Sequence, residues 1–340
     1  MVNRNKLNFC KLCSSVWYNF LMSIWETLPT PFLVLAPLEG VTDTVFRRIV
    51  ASCARPDLFF TEFTNSDGYC SVGRDSVAEN FRYSPIEQPL IAQIWGKNPE
   101  HMYQTAVDLS KMGFAGIDIN MGCPERTVMK NACGAAMIET PDVAIAVIAA
   151  VKKGAGSLPV SVKTRIGVRK IVTEEWVSLL LAQGLDALTV HGRTAAEMSK
   201  VPAHWDEIAK VVVIRDRMKL QTKIIGNGDV KDARDAREKA KEFGVDGVMI
   251  GRGIFNNLWC FDKSDNPHVG TTQELFSTME KHITMFDAEW GNRKSFALLK
   301  KFFKIYVSGF GGASEARQRF METANAKEAL ALLAELSGVV

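Results

Sequence analysis

Asn120-Met121-Gly122-Cys123-Pro124 closes the apolar run Gly116-Ile117-Asp118-Ile119, so a buried strand opens there into a loop that carries a thiol. A cysteine in such a place can act as a general acid or as a nucleophile. It can equally be a buried structural thiol, the common fate of an isolated cysteine. Its company bears on the choice. Other short apolar runs end in Pro37-Leu38-Glu39-Gly40, Glu62, Gln93, Lys163 with Arg165, His191 with Arg193, Asn227-Gly228-Asp229 and Gly251-Arg252-Gly253. An acid, an amide, a thiol, an amine, an imidazole and a guanidinium at strand ends are more than a scaffold requires.

Gly226-Asn227-Gly228-Asp229 and Gly251-Arg252-Gly253 offer unobstructed backbone N–H groups and one cation, the means by which late loops of a barrel hold a phosphate. Plain tight turns are the other reading. Lys163 within an apolar strand is costly unless its ammonium reaches the rim and meets charge. Gln93, also on a buried strand, presents a donor and an acceptor. Amide, amine and phosphate cradle together could hold a flavin by its polar edge and its tail, with Lys163 stabilising negative charge on the reduced ring. A Schiff-base lysine of an aldolase competes for Lys163. His191 reads as a phosphate or ring contact, or as an ordinary rim histidine.

The elements that must position these groups are short β-rich runs bounded by turn residues: 32–37, 58–63, 90–95, 116–121, 160–165, 187–191, 223–227 and 247–251. Helix-patterned stretches lie between them, including 99–112, 141–153, 174–183 and 233–243. Asn98-Pro99, Thr140-Pro141 and Thr173-Glu174 each place a capping residue before a proline or an acid. This alternation predicts an α/β protein, a closed (β/α)8 TIM barrel with its working residues at the carboxyl ends of the strands. A doubly wound sheet is disfavoured because no GxGxxG follows the first strand. Stretches 272–290, 293–307 and 314–336 read as helices, with a break at Gly309-Phe310-Gly311-Gly312. The expected organisation is an N-terminal extension over 1–30, a catalytic barrel over 31–259 and a small helical domain over 260–340.

The chain has 340 residues, a formal net charge of +3 and seven cysteines. The charge is too small to announce a nucleic acid by itself, so such a partner must be argued from local clustering. Scattered cysteines in odd number argue against a disulfide framework and fit a reducing cytoplasm. Cys10 and Cys13 form a CxxC that no second pair completes, so no metal is expected. Residues 9–25 are interrupted by Lys11 and Asn19 and are shorter than a membrane span requires. No membrane partner is expected, with a surface-lying N-terminal helix over 1–21 as a minor alternative. Arg293, Lys294, Lys300, Lys301 and Lys304 fall in one stretch with Phe296, Phe302 and Phe303. They read as a nucleic-acid surface or as a solvated helix face.

In this order, Ala36-Pro37-Leu38-Glu39-Gly40-Val41-Thr42-Asp43, Thr61-Glu62-Phe63, Gln93-Ile94-Trp95-Gly96, Asp118 to Pro124, Val162-Lys163-Thr164-Arg165, His191-Gly192-Arg193-Thr194, Asn227-Gly228-Asp229 and Met249 to Gly253 closely resemble the tRNA-dihydrouridine synthase family. The resemblance covers about 32–258. It implies an FMN-dependent barrel with a helical domain, reducing the C5–C6 bond of particular uridines in tRNA with NADPH or NADH as reductant, and a monomer with no stable protein partner. Residue by residue, it implies that Pro37, Leu38 and Glu39 flank the flavin and that Gln93 and Lys163 contact its ring. Asn227, Gly228, Asp229, Gly251 and Arg252 hold its phosphate end, with His191 beside them. Asn120 lies near flavin and uracil, and Cys123 donates the proton. Leu38 stands where the family often has Met, a volume-conserving change. Cys133, ten residues after Cys123, is a second thiol near the first. A flavin barrel acting on a free pyrimidine, similar to dihydroorotate dehydrogenase, is the alternative enzyme, and a non-catalytic RNA-binding protein the alternative without chemistry.

Overall fold

A computed structural model describes residues 23–338. Nine strands, β1 (Phe32–Leu35), β2 (Phe59–Phe60), β3 (Thr64–Asn65), β4 (Leu90–Trp95), β5 (Gly116–Met121), β6 (Val160–Arg165), β7 (Ala187–His191), β8 (Lys223–Asn227) and β9 (Gly247–Ile250), form one parallel sheet. The order runs β1-β9-β8-β7-β6-β5-β4-β2, with β3 also on β4. A Val34–Leu58 bridge brings β2 to β1 and closes the barrel. Helices cover it, as parallel strands buried on both faces require.

Strand parity sorts the side chains. Phe32, Val34, Leu58, Phe60, Ile91, Ala187, Ile225 and Met249 form the apolar lower interior, on which Trp25 packs from the short helix Ile24–Thr27. Two residues further along the same strands, the same inward parity gives Gln93, Thr189 and Asn227; on β5 and β6 it gives Asp118, Asn120, Ser161 and Lys163. The upper interior is therefore polar because the sequence changes chemistry at the inward positions, not because the fold opens. Outward residues such as Leu33, Leu35, Ile117 and Val162 join the larger core beneath the helices.

The second strand is where the sequence expectation needs correcting. The run 58–63 is not one strand: it breaks at Thr61-Glu62-Phe63 into β2 and β3, both paired to β4. Side chains substitute for the lost ladder there. The Thr61 hydroxyl accepts from the Gln93 N–H at 3.0 Å, and Glu62 Oε1 accepts from the Val41 N–H at 3.1 Å.

Helix starts follow local chemistry in part. Asn98 caps Pro99–Leu109, and Asp232 caps Ala233–Phe243, which Gly244 ends in a left-handed conformation. Thr140 and Thr173 do not cap. The Thr140 hydroxyl has no partner, and Thr173 is already inside its helix, donating to Glu207.

Beyond the barrel, Thr272–Trp290 begins with a Thr271/Glu274 capping box and packs on Thr44–Cys53. The stretch 293–307 is not one α-helix but a 3-10 segment, Phe296–Phe302, followed by the short helix Phe303–Tyr306. Phe296, Leu299 and Phe302 recur every third residue, a period that stacks one apolar row in a 3-10 turn. Likewise 314–336 divides into Ala313–Glu322 and Ala326–Ser337, because Asn325 caps the second. Phe302 meets Phe46 at 4.7 Å between ring centroids, and the buried core runs without interruption from barrel to C-terminal helices. The Cys10/Cys13 pair and residues 1–21 lie outside the described residues. Among the described residues, no single helix is long and apolar enough to cross a membrane.

Candidate active site

The loops at the carboxyl ends of the strands surround a cavity of about 860 Å³. Pro37, Leu38 and Glu39 line it after β1, Asn120 and Cys123 at and after β5, Lys163 and Arg165 on β6, and His191 and Arg193 at and after β7. Asn227, Gly228 and Asp229 face it at and after β8, and Gly251 and Arg252 after β9. Residues far apart in the chain thus share one wall. Gln93 sits just beneath, fully buried, with its amide engaged by neighbours.

Cys123 is fixed by its backbone. Asn120 Oδ1 accepts from the N–H groups of Gly122 and Cys123 at 3.1 and 3.0 Å. The Cys123 carbonyl accepts from the Ala135 N–H at 3.0 Å, and Arg165 Nε donates to the Gly122 carbonyl at 2.7 Å. Gly134 permits the close approach: at φ +60°, a Cβ there would lie 2.6 Å from the Cys123 oxygen. Burial pushes the Cys123 thiol above its ordinary range; the Glu125 N–H opposes this most, with Arg165 and Lys163, while the Glu125 charge adds to the rise. Cys133 is buried and is not part of the cavity wall; its thiol points to the Asn131 carbonyl at 3.4 Å.

The cations at the cavity differ in commitment. Arg165 donates to two backbone carbonyls, so it is anchored, and burial lowers its pKa to about 10. Lys163 makes no hydrogen bond or ion pair with any described residue, and burial, then Arg165, lowers its pKa to about 8 against the pull of Asp118 and Cys123. His191 is held well below its ordinary range by burial and by Arg165, Lys163, Arg193 and Arg252, so it is a neutral imidazole. Arg193 Nη1 lies 3.2 Å from His191 Nε2, which assigns the ring proton to Nδ1.

Asp229 pairs with Arg193 and, at 3.1 Å, with Arg252. Burial works against its charge, but the Arg193 bond and the Ala203 N–H keep its pKa low. Gly228 next to it has φ +132°, and a Cβ would fall 2.6 Å from Ala203 Cβ. That cradle admits glycine alone. Glu39 has a pKa raised to about 7, by burial first and Glu62 second, with Lys294 and Lys301 opposing.

The residues fit a flavin mononucleotide. An unpartnered ammonium at mid-depth suits the electron-rich edge of the ring. A glycine-walled recess beside Arg252 and Lys231, with a neutral histidine, suits a phosphate. The chain matches the model of the dihydrouridine synthase (Dus) family over residues 34–338.

The chain belongs to the dihydrouridine synthase family.

Relatives within it include a probable tRNA-dihydrouridine synthase of Staphylococcus aureus (strain COL), 46% identical over 92% of this chain and 95% of its own length. A probable tRNA-dihydrouridine synthase 2 of Bacillus subtilis (strain 168) is 44% identical over 92% and 95%. Among solved structures, morphinone reductase superposes with a TM-score of 0.50 at 13% identity, covering 69% of this chain and 86% of that one, a likeness of fold alone.

Two features of this family member's site escaped the sequence analysis. Asp118, inside β5, carries a buried carboxylate, and its signal was an acid in an otherwise apolar strand. Arg193, noted at the rim without a role, links His191 to Asp229. The expected basic surface of the C-terminal segment is largely committed internally. Lys294 lies 3.8 Å above the Trp290 ring and 3.6 Å from Asp43, Lys300 donates to the Met321 carbonyl, Lys301 to the Gly40 carbonyl, and Arg293 pairs with Glu79. Lys304 is exposed and has no partner among the described residues.

Proposed function

We propose that this protein is an FMN-dependent tRNA-dihydrouridine synthase, with NADPH or NADH as reductant and Cys123 as the proton donor to C5 of the uracil. The observation that carries the reading is a buried thiol at the cavity wall, its loop held by Asn120, on the same wall as Lys163, whose ammonium has no partner among the described residues. Lys163, Asn227, Gly228, Gly251 and Arg252 would hold FMN, with Pro37, Leu38 and Glu39 alongside, and the bound, reduced group would supply the hydride for C6. Lys163 and Arg165 keep the site positive, so that negative charge developing on the uracil is stabilised as the thiol gives up its proton. Hydride at C6 and proton at C5 complete the reduction, and the thiolate regains its proton from water. Gln93 braces Asn120 from below.

The required protonation state has a pH consequence. A donor works below its pKa, and burial moves this one up from the ordinary value of about 8.5. The single-turnover rate of uridine reduction is therefore expected to hold through neutral pH and to fall from about pH 8, where Lys163 loses its charge before the thiol loses its proton. A fall that begins near pH 7 and is absent from flavin reduction counts against Cys123 as the donor.

The uridine must leave its stack to reach this depth. We propose that the barrel over 31–259 does the chemistry and that the rim and the helices over 260–340 hold the tRNA, in a monomer that works in the cytoplasm. Lys97, Arg126, Lys130, Lys200 and Lys231 on the strand-end loops are exposed and free of ion pairs to described residues, as Lys304 is on the C-terminal segment. Binding is expected to weaken steeply with salt, and Lys304→Ala to reduce the slope of log K against log salt by about one. Lys294→Ala, which removes an internal contact, is expected to lower thermal stability more than it changes that slope. Affinity that is flat between low and moderate salt overturns the surface assignment. A free-pyrimidine reductase would instead turn over uracil compounds as fast as tRNA.

A further inference from the structure

Asp118 is fully buried in the barrel, two residues below Asn120 on β5, and the proposed reaction gives it no task. Its Oδ2 accepts from Gln93 Nε2 at 2.7 Å. Gln93 Oε1 in turn accepts from Asn120 Nδ2 at 3.0 Å, and Asn120 Oδ1 accepts from the Gly122 and Cys123 N–H groups. Asp118 Oδ1 accepts from the Ser161 hydroxyl at 2.6 Å.

The direction of this chain is fixed from both ends: the Gly122 and Cys123 N–H groups only donate and hold Asn120 Oδ1, while Asp118 only accepts and holds Gln93 Nε2. A carboxamide can sit either way round in a site of this shape, because its oxygen and nitrogen are nearly the same size. A carboxylate only accepts, so it forces the Gln93 nitrogen toward itself and the Gln93 oxygen upward. That oxygen forces the Asn120 nitrogen down and the Asn120 oxygen toward the Cys123 loop. Reversing either amide would set two oxygens or two nitrogens against each other in a buried place, at the cost of an unmet hydrogen bond. We infer that Asp118 is a positioning residue for Cys123, acting through the ordered amides of Gln93 and Asn120 to fix the loop that carries the thiol. The inference rests on the reading of Cys123 as the proton donor. It extends the site by a carboxylate that touches neither uracil nor thiol.

The test is Asp118→Ala in the flavin-loaded protein, read in two ways. Alkylation of Cys123 by iodoacetamide, followed peptide by peptide by mass spectrometry, is expected to quicken by about fivefold as the loop loosens, with Cys53 and Cys70 as internal references. Single-turnover reduction of uridine in tRNA is expected to fall by about tenfold or more, with KM for tRNA unchanged. Ser161→Ala removes the other partner of Asp118 and leaves the amides ordered, so both readouts are expected to stay at wild-type values. If Asp118→Ala does not fold, Asp118→Leu, which fills the space without an acceptor for Gln93, serves, and the same two changes are expected. Unchanged Cys123 alkylation, or equal changes in Ser161→Ala, overturns the inference. A wild-type protein that reduces no uridine defeats the functional reading instead, and the alkylation arm still reports on the chain of amides.

Discussion

Cys123→Ala is expected to lower uridine reduction by about 10²–10⁴-fold, the range that a positioned general acid contributes, while NADPH still bleaches the flavin at the wild-type rate. The two half-reactions separate because the thiol is needed at one carbon of the substrate and nowhere in the reductant's step. Stopped-flow absorbance of the flavin, first with NADPH and then with tRNA, measures both. A folded, flavin-bound variant that has lost both steps contradicts the role given to Cys123. Cys133→Ala is the companion measurement: its thiol is buried behind the loop, so it is expected to cost stability more than rate. A variant of Cys133 that stops uridine reduction alone would move the proton donor ten residues along the chain.

The second large effect is on stability. Arg47 and Glu87 form a fully buried ion pair at 2.6 Å. Every strong group is used: Arg47 also donates to the Thr42 carbonyl at 2.6 Å and to the Arg82 carbonyl at 2.8 Å. Glu87 accepts from the Thr44 hydroxyl and the Ser84 N–H, both at 2.6 Å. Removing one partner strands a charge without water, at a cost of about 3–5 kcal/mol. Arg47→Met is therefore expected to shift the urea midpoint downward by that amount of free energy. Arg47→Met with Glu87→Leu should recover much of it, since a matched apolar pair carries no stranded charge. A single variant as stable as the wild type would mean that water reaches the pair. Thr42 links this pair to the site: its hydroxyl accepts from the Leu38 N–H at 2.9 Å, so the turn that lines the cavity leans on it.

The barrel, its strand order and the convergence of the strand ends were legible in the sequence because parallel strands alternate with helices and carry their polar residues at one end. So was the group of residues that meets in the cavity, since inward parity and strand-end position are both local properties. The break in the second strand was not legible. It exists because Thr61 and Glu62 find partners in Gln93, Val41 and Lys294, far from them in the chain. The 3-10 segment over Phe296–Phe302 was missed because its three-residue row of apolar side chains also fits an α-helical stripe over so short a span.

The basic stretch 293–304 shows most plainly where sequence stops. Five cations in twelve or so residues look like a phosphate-binding face, and nothing local says otherwise. Only the fold brings Trp290, Asp43, Glu79, Gly40 and Met321 within reach and leaves Lys304 outward. The sequence by itself determined which side chains could do chemistry and that a closed barrel would carry them to one rim, because residue type, strand period and turn residues act over a few neighbours. Tertiary structure alone decided which of those groups are free and which are already bonded. A hydrogen bond or an ion pair depends on a distance across the fold, as when Asp118 anchors two amides that reach a loop it never touches.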